Sequence, residues 1–83
     1  MDISGAVSAI EAYVKGFAFS GATPVEVQVR PSGDDIDVIK VWVDLGTSKV
    51  DTHAYAEALE DAVKKNVKEA AGFKLSVRAE AGG

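Results

Sequence analysis

The only histidine of the chain, His53, stands four residues before Glu57 in a segment whose apolar residues recur at helical spacing. Side chains at i and i+4 lie on the same face of a helix, so this pair brings an imidazole and a carboxylate together. Both groups are ligands for divalent metals such as zinc. Because two ligands do not complete a coordination shell, a metal site would also need carboxylates such as Asp44 or Asp51, supplied across a subunit contact. The residue pattern alone favours a simpler interpretation, in which His53 is a solvated helix residue beside an acid.

Trp42, the only tryptophan, lies in a predicted strand between Val41 and Val43. Successive side chains of a strand point to opposite faces, so Trp42 lies on an open sheet face, with Val38 and Lys40, if the two valines face the helices. These three residues would then form an interface centred on tryptophan, a residue type enriched where protein surfaces pair. Two alternatives are a core tryptophan, with the register shifted by one residue, and a base-stacking platform for single-stranded nucleic acid. The platform would use the surrounding basic residues Arg30, Lys40, Lys74 and Arg78.

Catalytic chemistry finds little support in the sequence. The chain has no cysteine, which excludes thiol nucleophiles, disulfides and thiolate metal sites. No serine has the G-x-S-x-G spacing of a nucleophile elbow, and no glycines have the spacing of a phosphate-binding loop. The adjacent carboxylates Asp34-Asp35 and Glu60-Asp61 fall in a predicted turn and on a solvated helix face, where acid–base catalysis is not expected. We therefore expect a protein that is not an enzyme and has no cofactor other than a divalent metal.

The composition indicates one small globular domain. The chain has 83 residues, of which 47% are hydrophobic and 27% charged, and its net charge is -4. This acidic balance argues against nucleic-acid binding, which is usually accompanied by a basic excess. No apolar stretch of about eighteen residues is long enough to span a bilayer, and the N-terminus lacks the basic segment of a signal peptide, so we expect a cytoplasmic protein. A domain this small leaves much surface uncovered, which favours a homodimer.

Hydrophobic periodicity predicts two helices and three strands. The predicted elements are a helix over residues 3–17, strands over 25–30 and 36–45, a helix over 50–71 and a strand over 73–80. Asp2 or Ser4 is expected to cap the first helix, and Ser48 or Asp51 the second. A turn over residues 31–35 makes the first two strands an antiparallel hairpin.

This order predicts an α+β fold, a two-layer αββαβ sandwich with both helices on one face of a three-stranded sheet. Each helix has one apolar stripe and the sheet needs one cover, so the other face of the sheet stays open. Residues 1–80 are expected to form this single domain, and residues 81–83 a disordered tail.

Four stretches of the chain carry three recognisable short motifs: a strand ending in arginine before a glycine-containing turn, a valine-rich second strand ending near an acid, and a helix opening with a histidine. These stretches are Val27–Asp34, Ile36–Val38, Val43-Asp44 and Thr52–Glu60. Together they resemble the cytosolic C-terminal domain of cation diffusion facilitator (cation efflux) transporters, which has the same element order.

The resemblance implies a non-catalytic regulatory module that binds divalent metal and acts as a V-shaped homodimer, with His53 as the matching helix histidine. Two further histidines of the family fall near Val41 and Arg78 and are replaced here. The transmembrane half of such transporters has no counterpart, so the chain would be a stand-alone, excised or truncated version of that domain.

A competing resemblance lies in the step from the long helix into the last strand, Ala71–Leu75, which is similar to that of the alkaline-shock protein family. It implies a structural interaction module without a ligand. A type II KH domain shares part of the topology, but its helix–Gly-x-x-Gly–helix element has no counterpart in this sequence. A metal-binding regulatory module, a ligand-free interaction module and a single-stranded nucleic-acid binder therefore stay open.

Overall fold

A computed structural model of the chain describes residues 3–33, 37–47 and 49–81. Its elements are, in order, helix α1 (Ile3–Lys15), strands β1 (Glu26–Pro31) and β2 (Val38–Asp44), helix α2 (Thr52–Asn66), a short 3-10 helix (Lys68–Ala70) and strand β3 (Lys74–Glu80). The helices pack against a three-stranded sheet, α1 against β1 and α2 against β3. The predicted α+β fold of order αββαβ is therefore confirmed. None of the helices in the described ranges has the length and apolarity needed to cross a membrane.

β2 is the central strand of the sheet, and it pairs antiparallel with β1 and parallel with β3. A short turn suffices to join an antiparallel pair, whereas a parallel pair needs a crossover connection, which α2 provides here. Ile39, Val41 and Val43 of β2 are each no more than 2% exposed. This alternating set of side chains therefore faces the helices.

The core forms between this sheet face and the apolar stripes of the two helices. Its helical members recur every four residues: Ala6, Ile10 and Val14 on α1, and Tyr55, Leu59 and Val63 on α2. Among the residues that the structure describes, no polar or charged side chain is buried apart from the tyrosine hydroxyl of this set. The fold is therefore stabilised mainly by apolar burial, which contributes about 25 cal/mol per Å².

α2 ends earlier than the sequence predicts. The predicted helix over residues 50–71 is wrong at its C-terminal end, because α2 ends at Asn66 and the chain is extended at Val67 (φ -108°, ψ 101°). The side-chain N–H of Asn66 donates to the Ala62 carbonyl oxygen at 2.9 Å, a local bond of the kind that competes with a regular helix. The extended residue redirects the 3-10 helix toward α1, and Val67 and Ala70 remain buried. Apolar spacing could not reveal this break, because both residues continue the helical period.

Asp51 is the N-cap of α2. Its carboxylate accepts hydrogen bonds from the backbone N–H groups of His53 at 3.0 Å and Ala54 at 3.3 Å. Ser4, a predicted cap, lies instead within α1. Several other predictions fall outside the described residues: the caps Asp2 and Ser48, part of the turn (34–35), the start of the second predicted strand (36) and the end of the predicted tail (82–83).

Candidate functional site on the open face of the sheet

The side of the sheet turned away from the helices carries the second alternating set of strand side chains, and we call it the open face. Val38, Lys40 and Trp42, the predicted interface residues, all lie on it, because Val41 and Val43 point into the core. The alternative of a core tryptophan in a shifted register is therefore wrong.

Trp42 occupies the middle of the open face. Its neighbours across the sheet are Gln28 on β1 and Arg78 on β3. The indole is partly buried, and a shallow depression of about 440 Å³ lies beside it. The side chains of this face that line the depression are Gln28, Arg30, Lys40, Trp42, Ser76 and Arg78. No described histidine or carboxylate is among them.

Five of the seven charged side chains that the described strands place on the open face form two rows on either side of Trp42, and the other two are Arg78, which lies beside the indole, and Lys74, opposite Val38. The strand register places three acidic residues at neighbouring positions on the three strands, which we call the acidic row: Glu26, Asp44 and Glu80. On the other side of the indole, Arg30 lies directly opposite Lys40, and we call this pair the basic row. Like charges directly opposite each other in a sheet are destabilising. Both rows would therefore be stabilised by opposite charges placed above them.

Part of the acidic row has partners within the chain. The Nε of Arg78 lies 3.0 Å from a carboxylate oxygen of Glu80, and the Asp44 carboxylate accepts a hydrogen bond from the Gly46 N–H at 2.8 Å. Glu26, Arg30 and Lys40 take part in none of the ion pairs found between described residues. Both rows therefore retain charge that can act on another molecule.

A second candidate site lies at the start of α2, where the Nε2 of His53 is 3.0 Å from a carboxylate oxygen of Glu57. The proximity predicted from the i,i+4 spacing is thus confirmed. The two side chains are 84% and 71% exposed, so water competes for both groups. His53 lines a small hollow together with Thr52, Ala56 and residues 77–79 of β3.

Asp44 and Asp51, the other predicted metal ligands, do not join this pair within one chain. The Asp51 carboxylate caps the helix backbone, and Asp44 lies in the acidic row. In the described ranges, no three histidine, aspartate or glutamate side chains are grouped closely enough to hold a metal ion. The metal site therefore stays a prediction that requires ligands from a second subunit.

No family model, curated protein or solved structure matches this chain. The resemblances to cation efflux domains and to alkaline-shock proteins therefore stay predictions. Element order alone does not specify a function.

Sequence reasoning did not identify the acidic row. Its members come from three strands that are far apart in the chain, and only the register of β2 with both partners makes them neighbours. The available signal was that Glu26 is the first residue of its strand, whereas Asp44 and Glu80 are the last residues of theirs. Given an antiparallel and a parallel pairing, these positions meet at one end of the sheet.

Proposed function

We propose that this domain is a non-catalytic regulatory interaction module that forms a homodimer through its open face. The observation that carries the proposal is the position of Trp42 at the centre of a sheet face that none of the described helices covers. Protein interfaces combine a central aromatic anchor with a polar and charged rim. The open face has this composition, because polar and charged side chains surround the indole on both neighbouring strands.

The size of the face predicts the strength of the dimer. Three strands of about seven residues, spaced about 4.8 Å apart, present a projected area of roughly 330 Å². Stable complexes usually bury about 800 Å² on each partner. We therefore expect a weak dimer whose population rises with protein concentration.

Sedimentation velocity tests the proposed homodimer directly, by measuring the fraction of dimer at protein concentrations from about 5 to 500 µM, the range in which weak dimers form. Trp42 is the only tryptophan, so its fluorescence reports on the same face and shifts to shorter wavelength as the indole becomes covered. Replacing Trp42 by Thr keeps a residue suited to strands and removes the anchor, so the variant is expected to stay monomeric. A thermal melt of the variant shows that the fold is retained. A wild-type protein that stays monomeric at the highest concentration would contradict the homodimer.

Fluorescence anisotropy with a labelled single-stranded oligonucleotide tests the alternative that the open face binds nucleic acid. The expected result is no specific binding, since the acidic row and the net charge of -4 repel phosphates. Tight, strongly salt-dependent binding that Trp42→Thr abolishes would show that the open face is a base-stacking platform instead.

Divalent-metal binding is the second candidate function, and the 3.0 Å approach of His53 to Glu57 favours it. Calorimetric titration with Zn²⁺ and other divalent ions tests it at protein concentrations at which the dimer forms. His53→Ala removes one ligand and is expected to weaken binding by at least about tenfold, while the fold survives because this side chain is 84% exposed. Glu11→Ala is the control, since Glu11 belongs to an exposed i,i+4 pair that lacks a histidine. Equal metal affinities of His53→Ala and the wild type would show that His53 is not a metal ligand.

A further inference from the structure

The two charged rows are placed symmetrically about Trp42. Lys40 of the basic row and Asp44 of the acidic row are each two residues from the indole along β2. At about 3.3 Å of rise per residue, each row lies roughly 7 Å from Trp42, on opposite sides. A two-fold axis that passes over Trp42 can therefore exchange the positions of the two rows.

A closed homodimer in which two sheets meet face to face has a two-fold axis in the plane between them. The two limiting directions of this axis run along the strands and across them. If that axis runs along the strands, each basic row faces the partner's basic row and each acidic row faces the partner's acidic row. If the axis crosses the strands at Trp42, the strands of the two copies run antiparallel. Each basic row then faces an acidic row.

We infer that the homodimer adopts the second arrangement, with the axis crossing the strands at Trp42. This inference rests on the proposed homodimer and specifies its geometry. In this arrangement Arg30 faces Glu26 of the partner subunit, Lys40 faces Asp44 of the partner subunit, and the two indoles meet on the axis. The repulsion within each row, which the strand register creates in the monomer, is offset by the opposite row of the second copy.

Charge complementarity also explains why a second copy fits this face better than an unrelated partner. The strands place Arg30 and Lys40 on one side of Trp42 and the three carboxylates of the acidic row on the other, while Arg78 beside Trp42 is paired with Glu80 of its own chain. A strongly acidic partner would be repelled by the acidic row, and a strongly basic one by the basic side chains. A surface with the same two rows in reverse order satisfies both, and the domain itself provides such a surface.

Charge reversal on β1 tests the arrangement. Arg30→Glu and Glu26→Arg each replace a like-charge pair with an opposite-charge pair, because Arg30 lies opposite Lys40 and Glu26 opposite Asp44. The monomer is therefore not expected to lose stability. Each single variant alone is expected to raise the dimer Kd by at least about tenfold, since like charges then face each other across the interface.

Mixing the two single variants restores the pairing. Glu at position 30 of one copy faces Arg at position 26 of the other, while the second pair of contacts stays as in the wild type, so the mixture is expected to form heterodimers with a Kd within about threefold of the wild-type value. The double variant Arg30→Glu/Glu26→Arg keeps the net charge of the chain and is expected to self-associate but not to pair with the wild type. Lys65→Glu, on the exposed side of α2, is the control and leaves dimerisation unchanged.

The outcomes separate this inference from the proposed function. A wild-type chain that stays monomeric at every concentration contradicts both the proposed homodimer and its antiparallel arrangement. Dimerisation of the wild type but not of Trp42→Thr supports the homodimer through the open face. This support holds even when both single charge-reversal variants dimerise normally, or when their mixture forms no heterodimer. The antiparallel arrangement is then overturned.

Discussion

The hydroxyl of Tyr55 donates a hydrogen bond to the backbone carbonyl oxygen of Phe17 at 3.0 Å. Tyr55 is fully buried in α2, and Phe17 lies just beyond the end of α1. The two rings also meet edge to face, with centroids 5.4 Å apart. Tyr55 of α2 therefore fixes the chain just after the C-terminal end of α1, through a hydrogen bond and ring packing.

Tyr55→Phe removes the hydroxyl and leaves the Phe17 carbonyl without this donor. We expect a loss of about 1–2 kcal/mol in the free energy of unfolding, which corresponds to a fall in Tm of roughly 4–8 °C per kcal/mol for a domain of this size. Tyr13→Phe is the matched control, because the Tyr13 hydroxyl accepts its hydrogen bond from Asn66 at an exposed site. Thermal unfolding followed by circular dichroism measures both. Equal effects of the two substitutions would show that the buried hydrogen bond contributes nothing beyond the exposed one.

Burial also makes stability depend on alkaline pH. It raises the pKa of the Tyr55 hydroxyl from 10.0 to about 12, so the folded state holds this proton more tightly than the unfolded state. The resulting stabilisation is fully present below pH 10 and is lost as the pH rises toward 12, by up to about 1.4 kcal/mol per pH unit. Urea unfolding at a series of pH values measures this loss. Tyr55→Phe is expected to show a shallower fall, and parallel curves for the two proteins would contradict the assignment to Tyr55.

Gly46 follows β2 with a positive φ of 64°, and a Cβ there would lie 2.9 Å from a methyl carbon of Val25. Gly46→Ala is therefore expected to destabilise the domain by about 1–3 kcal/mol, through backbone strain and the close contact together. The double variant Gly46→Ala/Val25→Ala removes the contact but keeps the strain, so it should recover only part of the loss. Gly5→Ala in α1 is the control, since nothing lies within 4 Å of the added Cβ and alanine favours the helix by about 0.5–1 kcal/mol. Denaturant unfolding of the four proteins measures each effect.

Salt should weaken the proposed dimer. Opposite-charge rows across the interface attract each other less as the Debye length shortens from about 10 Å at 0.1 M salt to about 3 Å at 1 M. We expect the sedimentation Kd of the wild type to rise with sodium chloride concentration. The Kd of each single charge-reversal variant, Arg30→Glu or Glu26→Arg, should fall instead, because salt screens its repulsion. A dimer that tightens with salt in the wild type would indicate a contact dominated by Trp42 and other apolar surface.

The sequence predicted the elements of this fold better than the relations between them. Periods of two and of about 3.6 residues identified the strands and helices, because each element buries one side against a common core. The break at Val67 was missed, since its side chain is buried whether the helix continues or not. The side of the sheet on which Trp42 lies depended on the register, because a shift of one residue moves every side chain of a strand to the other face. The acidic row was missed for the same reason, since its members meet only across three paired strands.

The parallel pairing of β2 with β3 has a consequence for the order of events during folding. Only six residues, 32–37, separate β1 from β2 in the chain, so their antiparallel pairing closes a small loop and can form early. β3 reaches β2 only after the whole of α2 has been placed, which makes its pairing a contact of long sequence separation. Until then one edge of the most apolar strand is unpaired. A chain still emerging from the ribosome therefore passes through a stage in which β2 can pair with another unfinished copy, and chaperone binding at this stage would protect it from aggregation.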